Sequence, residues 1–132
     1  MPLVPIKDLW RIALCLLLLG PPAFPGARAE QVKILVQSSP LAGSQYYAVA
    51  ELWPRLAVGD RLALVREPDN RHDSRAVRVD WQGQALGYLP RAENGAVAAA
   101  LDRGEKLEAR IARLTQDANP WRRVAVQVFM VL

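Results

Sequence analysis

From residue 30 onward the chain alternates short apolar runs with clusters of turn residues. That spacing predicts short strands. Val32-Lys33-Ile34-Leu35-Val36 reads as a first strand, and Pro40-Leu41-Ala42-Gly43-Ser44 as a loop. Tyr46-Tyr47-Ala48-Val49 continues as a strand or as a short turn. Gly59-Asp60 is a turn. Arg61 to Arg66 is apolar at successive positions, the pattern of a central strand covered on both faces. Glu67 to Ser74 is polar with a proline, hence a loop. Ala76 to Trp81 sets Val77, Val79 and Trp81 against Arg78 and Asp80, the period of a half-buried strand. Gln82-Gly83 is a tight turn, and Gln84 to Tyr88 returns as the second arm of a hairpin.

The period then lengthens. Pro90 can open a helix, because its missing N–H falls where no bond is needed. Ala92 to Leu101 is alanine-rich with Val97 and Leu101 on one face, and Gly104 supplies a left-handed stop. Leu107 to Leu114 and Arg123 to Val131 complete the set, separated by Asp117-Ala118-Asn119-Pro120. The expected fold is mainly β with one or two helices (α+β). Six or seven strands at this spacing make a small barrel or rolled sheet.

The first 29 residues obey a different rule. Lys7 and Arg11 precede the uncharged run Ile12 to Leu19, Gly20-Pro21-Pro22 breaks it, and Ala27-Arg28-Ala29 follows. This is the three-part pattern of a secretory signal peptide, with cleavage expected after Ala29. Eight apolar residues make a helix of roughly 12 Å, against a bilayer core of about 30 Å, so no stable membrane span is expected after cleavage. The product would be exported, periplasmic or secreted; without a working signal it would be cytoplasmic. Leu14 stands before Cys15 where a lipidation site wants a small residue.

Composition narrows the function. The 132 residues carry a net charge of +4, one cysteine and one histidine. Residues 30–132 hold 14 Lys/Arg and 12 Asp/Glu, a difference of +2. That is a mildly basic domain rather than a polycation. One domain of this size leaves no room for a nucleotide-hydrolysing motor. With Cys15 in the leader, the remainder has no disulfide, thiolate nucleophile or cysteine metal site. Neither a P-loop nor a serine-nucleophile motif occurs. No enzyme activity, metal or other cofactor is expected.

The run Val58-Gly59-Asp60 through Leu64-Val65-Arg66-Glu67-Pro68-Asp69-Asn70-Arg71-His72-Asp73-Ser74-Arg75-Ala76-Val77 resembles the signature of the HIRAN family. Leu86-Gly87-Tyr88-Leu89-Pro90-Arg91, Asn94, Gln45-Tyr46-Tyr47 and Leu101-Asp102-Arg103-Gly104 extend the likeness over about residues 31–131. The resemblance implies an OB-like or SH3-like β-barrel over 30–132. Members within DNA-remodelling ATPases capture the 3′-hydroxyl end of single-stranded DNA; short bacterial members stand alone. Their ATPase and zinc-binding parts lie elsewhere and do not transfer here. Carried over residue by residue, the family pocket implies Tyr46 or Tyr47, His72, Asp73, Tyr88, Arg91 and, in a loosely aligned loop, Trp121. Here His72 replaces an aromatic and Gln45 a basic residue.

The chemistry suits that assignment. Cations track phosphates and rings stack on bases, at about 1–3 kcal/mol per base. Arg71, Arg75 and Arg91 offer the first; Tyr46, Tyr47, His72 and Tyr88 offer the second. Asp73 can accept a bond from a terminal hydroxyl but repels a continuing phosphate, so one carboxylate separates an end from an interior. Blander roles stand beside these. Asp73 and Asn70 can organise their own loop. If Tyr46-Tyr47 is extended, one ring is core and the other exposed. Trp53 and Trp81 read as core. Arg110 and Arg113 read as an exposed strand face, and Arg122-Arg123 as a solvated loop. The expected function is a monomeric, non-catalytic module that binds single-stranded nucleic acid at a 3′ end. Export conflicts with work at replication forks, so the alternative is an exported module for a protein or envelope ligand.

Overall fold

The computed structural model describes residues 31–132. The expected leader over residues 1–29 lies outside the described residues. Six antiparallel strands form one sheet: β1 (Lys33–Pro40), β2 (Arg61–Glu67), β3 (Ala76–Trp81), β4 (Gln84–Tyr88), β5 (Leu107–Leu114) and β6 (Val124–Val131), in spatial order β1-β6-β5-β2-β3-β4. Two short helices are added, α1 (Val49–Leu52) and α2 (Gly95–Asp102), with 3₁₀ turns at Ser44–Tyr46, Trp53–Arg55 and Pro120–Arg122.

The sheet curls because β2 joins β5 through only two residue pairs, Arg61 with Arg110 and Leu62 with Ala109. Each three-stranded half then bends away from the other. One extra residue sits in each of β1, β4 and β5, where the pairing register slips, and such bulges increase local twist. The chain leaving β1 closes the two ends. Leu41 N–H donates to the Val124 carbonyl at 3.0 Å, continuing the ladder with β6. The next residue, Ala42, exchanges two bonds with Tyr88 of β4, at 2.8 and 3.0 Å. Closure requires Gly87: a Cβ there would stand 2.5 Å from the Ala42 carbonyl oxygen and 3.0 Å from Leu41 Cγ.

The core follows strand periodicity. Val124, Val126 and Val128 point inward from β6, and Val77, Val79 and Trp81 from β3. Leu62, Leu86, Ala109 and Ile111 meet them, and α1 and α2 cap the barrel with Val49, Leu52, Val97 and Ala98. Each fully buried valine or leucine contributes about 1.5–3 kcal/mol.

Several expectations need correction. β1 runs on to Pro40, which ends the strand instead of opening a loop. Proline fits there because no further ladder bond is required of its nitrogen. Tyr46-Tyr47 is not extended; the segment coils into a 3₁₀ turn followed by α1, so neither ring enters the core. β2 is interior in strand order, yet only Leu62 is buried on it. In a curled sheet each strand keeps one outward face, and Ala63 occupies it beside half-buried neighbours. The second helix starts at Gly95, not near Pro90. Pro90 to Glu93 is a turn closed by Glu93 N–H on the Pro90 carbonyl at 2.9 Å. Arg91, Ala92 and Glu93 are all exposed, so no apolar stripe draws them into a helix. No helix among the described residues is long and apolar enough to cross a membrane.

Candidate functional site

A cleft of about 290 Å³ opens where the barrel closes. Its walls come from three places: the turn after β1 (Ala42, Gly43, Tyr46, Tyr47), the β2–β3 loop (Asn70, His72, Asp73) and the end of β4 (Tyr88, Leu89, Arg91). The Ala42–Tyr88 bridge holds the first against the third.

Local hydrogen bonds shape the loop. Asn70 Oδ1 accepts from the backbone N–H groups of His72 (2.9 Å) and Asp73 (3.2 Å), the side-chain-capped turn that asparagine forms readily. Asn70 Nδ2 donates to Glu67 Oε1 at 3.1 Å, and Tyr88 Oη donates to the same oxygen at 2.7 Å. Arg78 Nη1 donates to Glu67 Oε2 at 2.7 Å, while its Nε and Nη2 grip both oxygens of Asp80. Glu67 therefore ties the loop to the β4 wall. Burial works to raise its pKa, but bonds from Tyr88, Asn70 and Arg78 outweigh that and hold it below the ordinary value. The Tyr88 phenol is pushed up, first by burial and then by the Glu67 carboxylate. Asp80, before Glu67, holds the Arg78 guanidinium firmly protonated.

Asp73 carries the site's negative charge. Its Oδ1 accepts from Arg75 N–H at 2.9 Å and its Oδ2 from Asn94 Nδ2 at 2.6 Å. The Arg75 N–H is the main cause of a lowered pKa, assisted by Asn94 and by the positive charges of Arg91 and Arg75. Asn94 is 1% exposed and precedes α2; its Oδ1 has no partner among the described residues. Each carboxylate oxygen has a second lone pair left for a ligand. Asp73 thus organises its loop and lines the cleft.

The aromatic wall is open. Tyr46 is 80% exposed and Tyr47 39%. Tyr47 meets Tyr88 edge to face, with ring centroids 5.8 Å apart. His72 and Arg91 are exposed at the rim. Among the described residues no group of histidines and carboxylates could hold a metal ion.

The HIRAN domain model matches residues 34–132. The chain belongs to the HIRAN family. Two crystal structures share its fold. A protein from Lactobacillus plantarum aligns at TM-score 0.68 with 22% identity, over 77% of this chain and 98% of its own. The HIRAN domain of human HLTF aligns at TM-score 0.55 with 21% identity, over 75% and 78%. No curated protein matches.

In this HIRAN domain, six of the residues singled out from sequence meet in the cleft: Tyr46, Tyr47, His72, Asp73, Tyr88 and Arg91. Arg71 is exposed on the same loop but outside the lining. Trp121 is also outside it, half exposed on a 3₁₀ turn that packs against the Ser44–Tyr46 turn. Trp81 is core, with Nε1 bonded to Asp60 and Arg55 stacked over its ring. Glu67 and Asn94 were not foreseen. Only a polar residue ending an apolar strand, and a buried asparagine facing a loop acid, mark them, and both signs need the fold.

Proposed function

We propose that this domain binds single-stranded nucleic acid by its 3′-hydroxyl end and does no chemistry itself. The observation that carries the reading is Asp73: one carboxylate, held below its ordinary pKa, in a cleft walled by Tyr46, Tyr47, His72 and Tyr88. The rings receive the last bases. Arg91, with Arg71 and Arg75 nearby on the loop, takes the preceding phosphate. The terminal hydroxyl donates to Asp73. A terminal phosphate would instead bring like charges together, which at 4 Å and an effective dielectric of 20 repel by about 4 kcal/mol before salt screening. Family membership supports the nucleic-acid class, and the charge pattern supports the end.

The test is fluorescence anisotropy on the full chain with a labelled strand ending in 3′-hydroxyl or 3′-phosphate. We expect the hydroxyl strand to bind at least about tenfold tighter, a difference of 1.4 kcal/mol. Asp73→Asn should bring the two strands together by removing the repulsion. Equal, salt-sensitive binding of both strands by the unsubstituted chain would reduce the cleft to a general electrostatic surface. Binding of neither would leave the family and fold but remove the ligand.

A second reading, an exported module for a protein or envelope ligand, is favoured by β1. Val32, Ile34, Leu35 and Val36 are each about half exposed along a strand that pairs only with β6 among the described strands. Unpaired strand edges are frequent docking sites for extended peptides.

A further inference from the structure

The cations of this barrel divide into two groups. Lys33, Arg61, Arg66, Arg78 and Arg103 all stand in ion pairs. Arg123 spends Nε and Nη2 on the carbonyls of Asp117 and Ala118, so it builds the β5–β6 loop. Arg113 and Arg122 have neither kind of partner among the described residues, and both are exposed. They line one hollow of about 330 Å³, together with Thr115 and Asp117. Asp117 is the acid of that hollow, and its Oδ1 is engaged by the Asn119 N–H at 2.8 Å.

The hollow lies close to the cleft. Pro40, Ala125 and Arg113 occupy one row of the sheet. Arg113 therefore stands two strands, about 10 Å, from the end of β1. From Pro40 the chain runs directly into the turn that carries Tyr46. Ser44 Oγ of that turn donates to the Pro120 carbonyl at 3.4 Å, so Tyr46 and Trp121 sit on abutting turns. Two largely solvent-exposed rings thus lie between the acid-bearing cleft and an uncommitted arginine pair. Exposed rings interleaved with free cations are the means by which proteins hold a single strand without reading its sequence.

We propose that a strand whose 3′ end sits in the cleft continues over Tyr46 and Trp121 and seats a phosphate between Arg113 and Arg122. This rests on the end-binding reading above and adds a second contact, several nucleotides upstream, that a short strand cannot reach.

The test compares a trinucleotide with a decanucleotide, both ending in 3′-hydroxyl, on the full chain and on an Arg113→Gln/Arg122→Gln double variant. The unsubstituted chain should bind the longer strand tighter. In the double variant that length gain should disappear while trinucleotide affinity and the preference for hydroxyl over phosphate persist. The salt slope for the long strand should shrink by about 1.4, at 0.7 per phosphate contact. A length gain that survives the double substitution overturns the seat, as does an unsubstituted chain indifferent to length, and both leave the end-binding reading standing. If neither strand binds, the cleft reading fails and the seat fails with it. Since both arginines are exposed and unpaired, the double variant should melt with the unsubstituted chain.

Discussion

Gly87→Ala tests whether the Ala42–Tyr88 bridge closes the barrel and shapes the cleft. The added Cβ would lie 2.5 Å from the Ala42 carbonyl oxygen, 3.0 Å from Leu41 Cγ and 3.2 Å from Leu41 Cδ1. Leu41 is core and the carbonyl belongs to the bridge, so the neighbours have little room to yield. If the bridge opens, two backbone hydrogen bonds are lost, at about 1 kcal/mol each. If it stays, the overpacked core costs about 1–3 kcal/mol instead. The φ of +155° adds strain for any residue with a side chain, about 1 kcal/mol or more. The expected loss is about 3 kcal/mol, or a fall in Tm of roughly 12–24 °C for a domain of this size. Urea and thermal unfolding of the full chain measure it. Gly83→Ala is the control: φ is +79°, and nothing lies within 4 Å of its Cβ, so only the left-handed backbone cost of about 1 kcal/mol applies. If Gly87→Ala costs no more than Gly83→Ala, the closing contact does not support the barrel. A variant that still folds should also bind nucleic acid more weakly, because Ala42 and Gly43 line the cleft.

Glu67→Gln should destabilise the domain by about 1–3 kcal/mol, since its amide would face the Arg78 guanidinium donor to donor, and should lower the Tyr88 pKa in an ultraviolet titration. Asp73 and Glu67 both have depressed folded pKa values, so their contribution is complete above the ordinary carboxylate range and is lost as pH falls through the folded values. Melting temperatures measured down an acid series should therefore fall less steeply for Asp73→Asn than for the unsubstituted chain. Tyr88 has the opposite sign: its raised pKa favours the folded state below the ordinary phenol value, and this is lost at higher pH, so Tyr88→Phe should flatten the alkaline limb. Expression in an exporting host should yield a chain beginning at Glu30, read by intact mass; a product retaining residues 1–29 would remove the expected export.

Strand positions were legible because they rest on a local period. Val77, Val79 and Trp81 alternate in the sequence and all three are buried, and the Gln82-Gly83 turn joins β3 to β4 as the spacing implies. The errors arose where a local pattern met a tertiary demand. Arg61 to Arg66 reads as doubly buried by composition, but a curled sheet keeps one face of β2 outward. Pro90 reads as a helix start, but the turn that follows keeps Leu89 and Pro90 buried and brings Asn94 under Asp73. The two tyrosines divide between core and solvent only if extended, and the closure at Ala42 turns them both toward the cleft.

By itself the sequence determined that this is a small, mainly β domain of one family, since apolar period, turn residues and a run of spaced motif residues are all local properties of the chain. It also determined which side chains could carry the chemistry. Only the tertiary structure decided that Tyr46, His72, Asp73, Tyr88 and Arg91 share one cleft, that Glu67 and Asn94 hold two walls of it, and that Arg113 and Arg122 lie unpaired beside Trp121. Those relations depend on which strands meet and how far the sheet curls. Both are set by the closing contact at Gly87 and by the two-pair junction of β2 with β5, between residues distant in the chain.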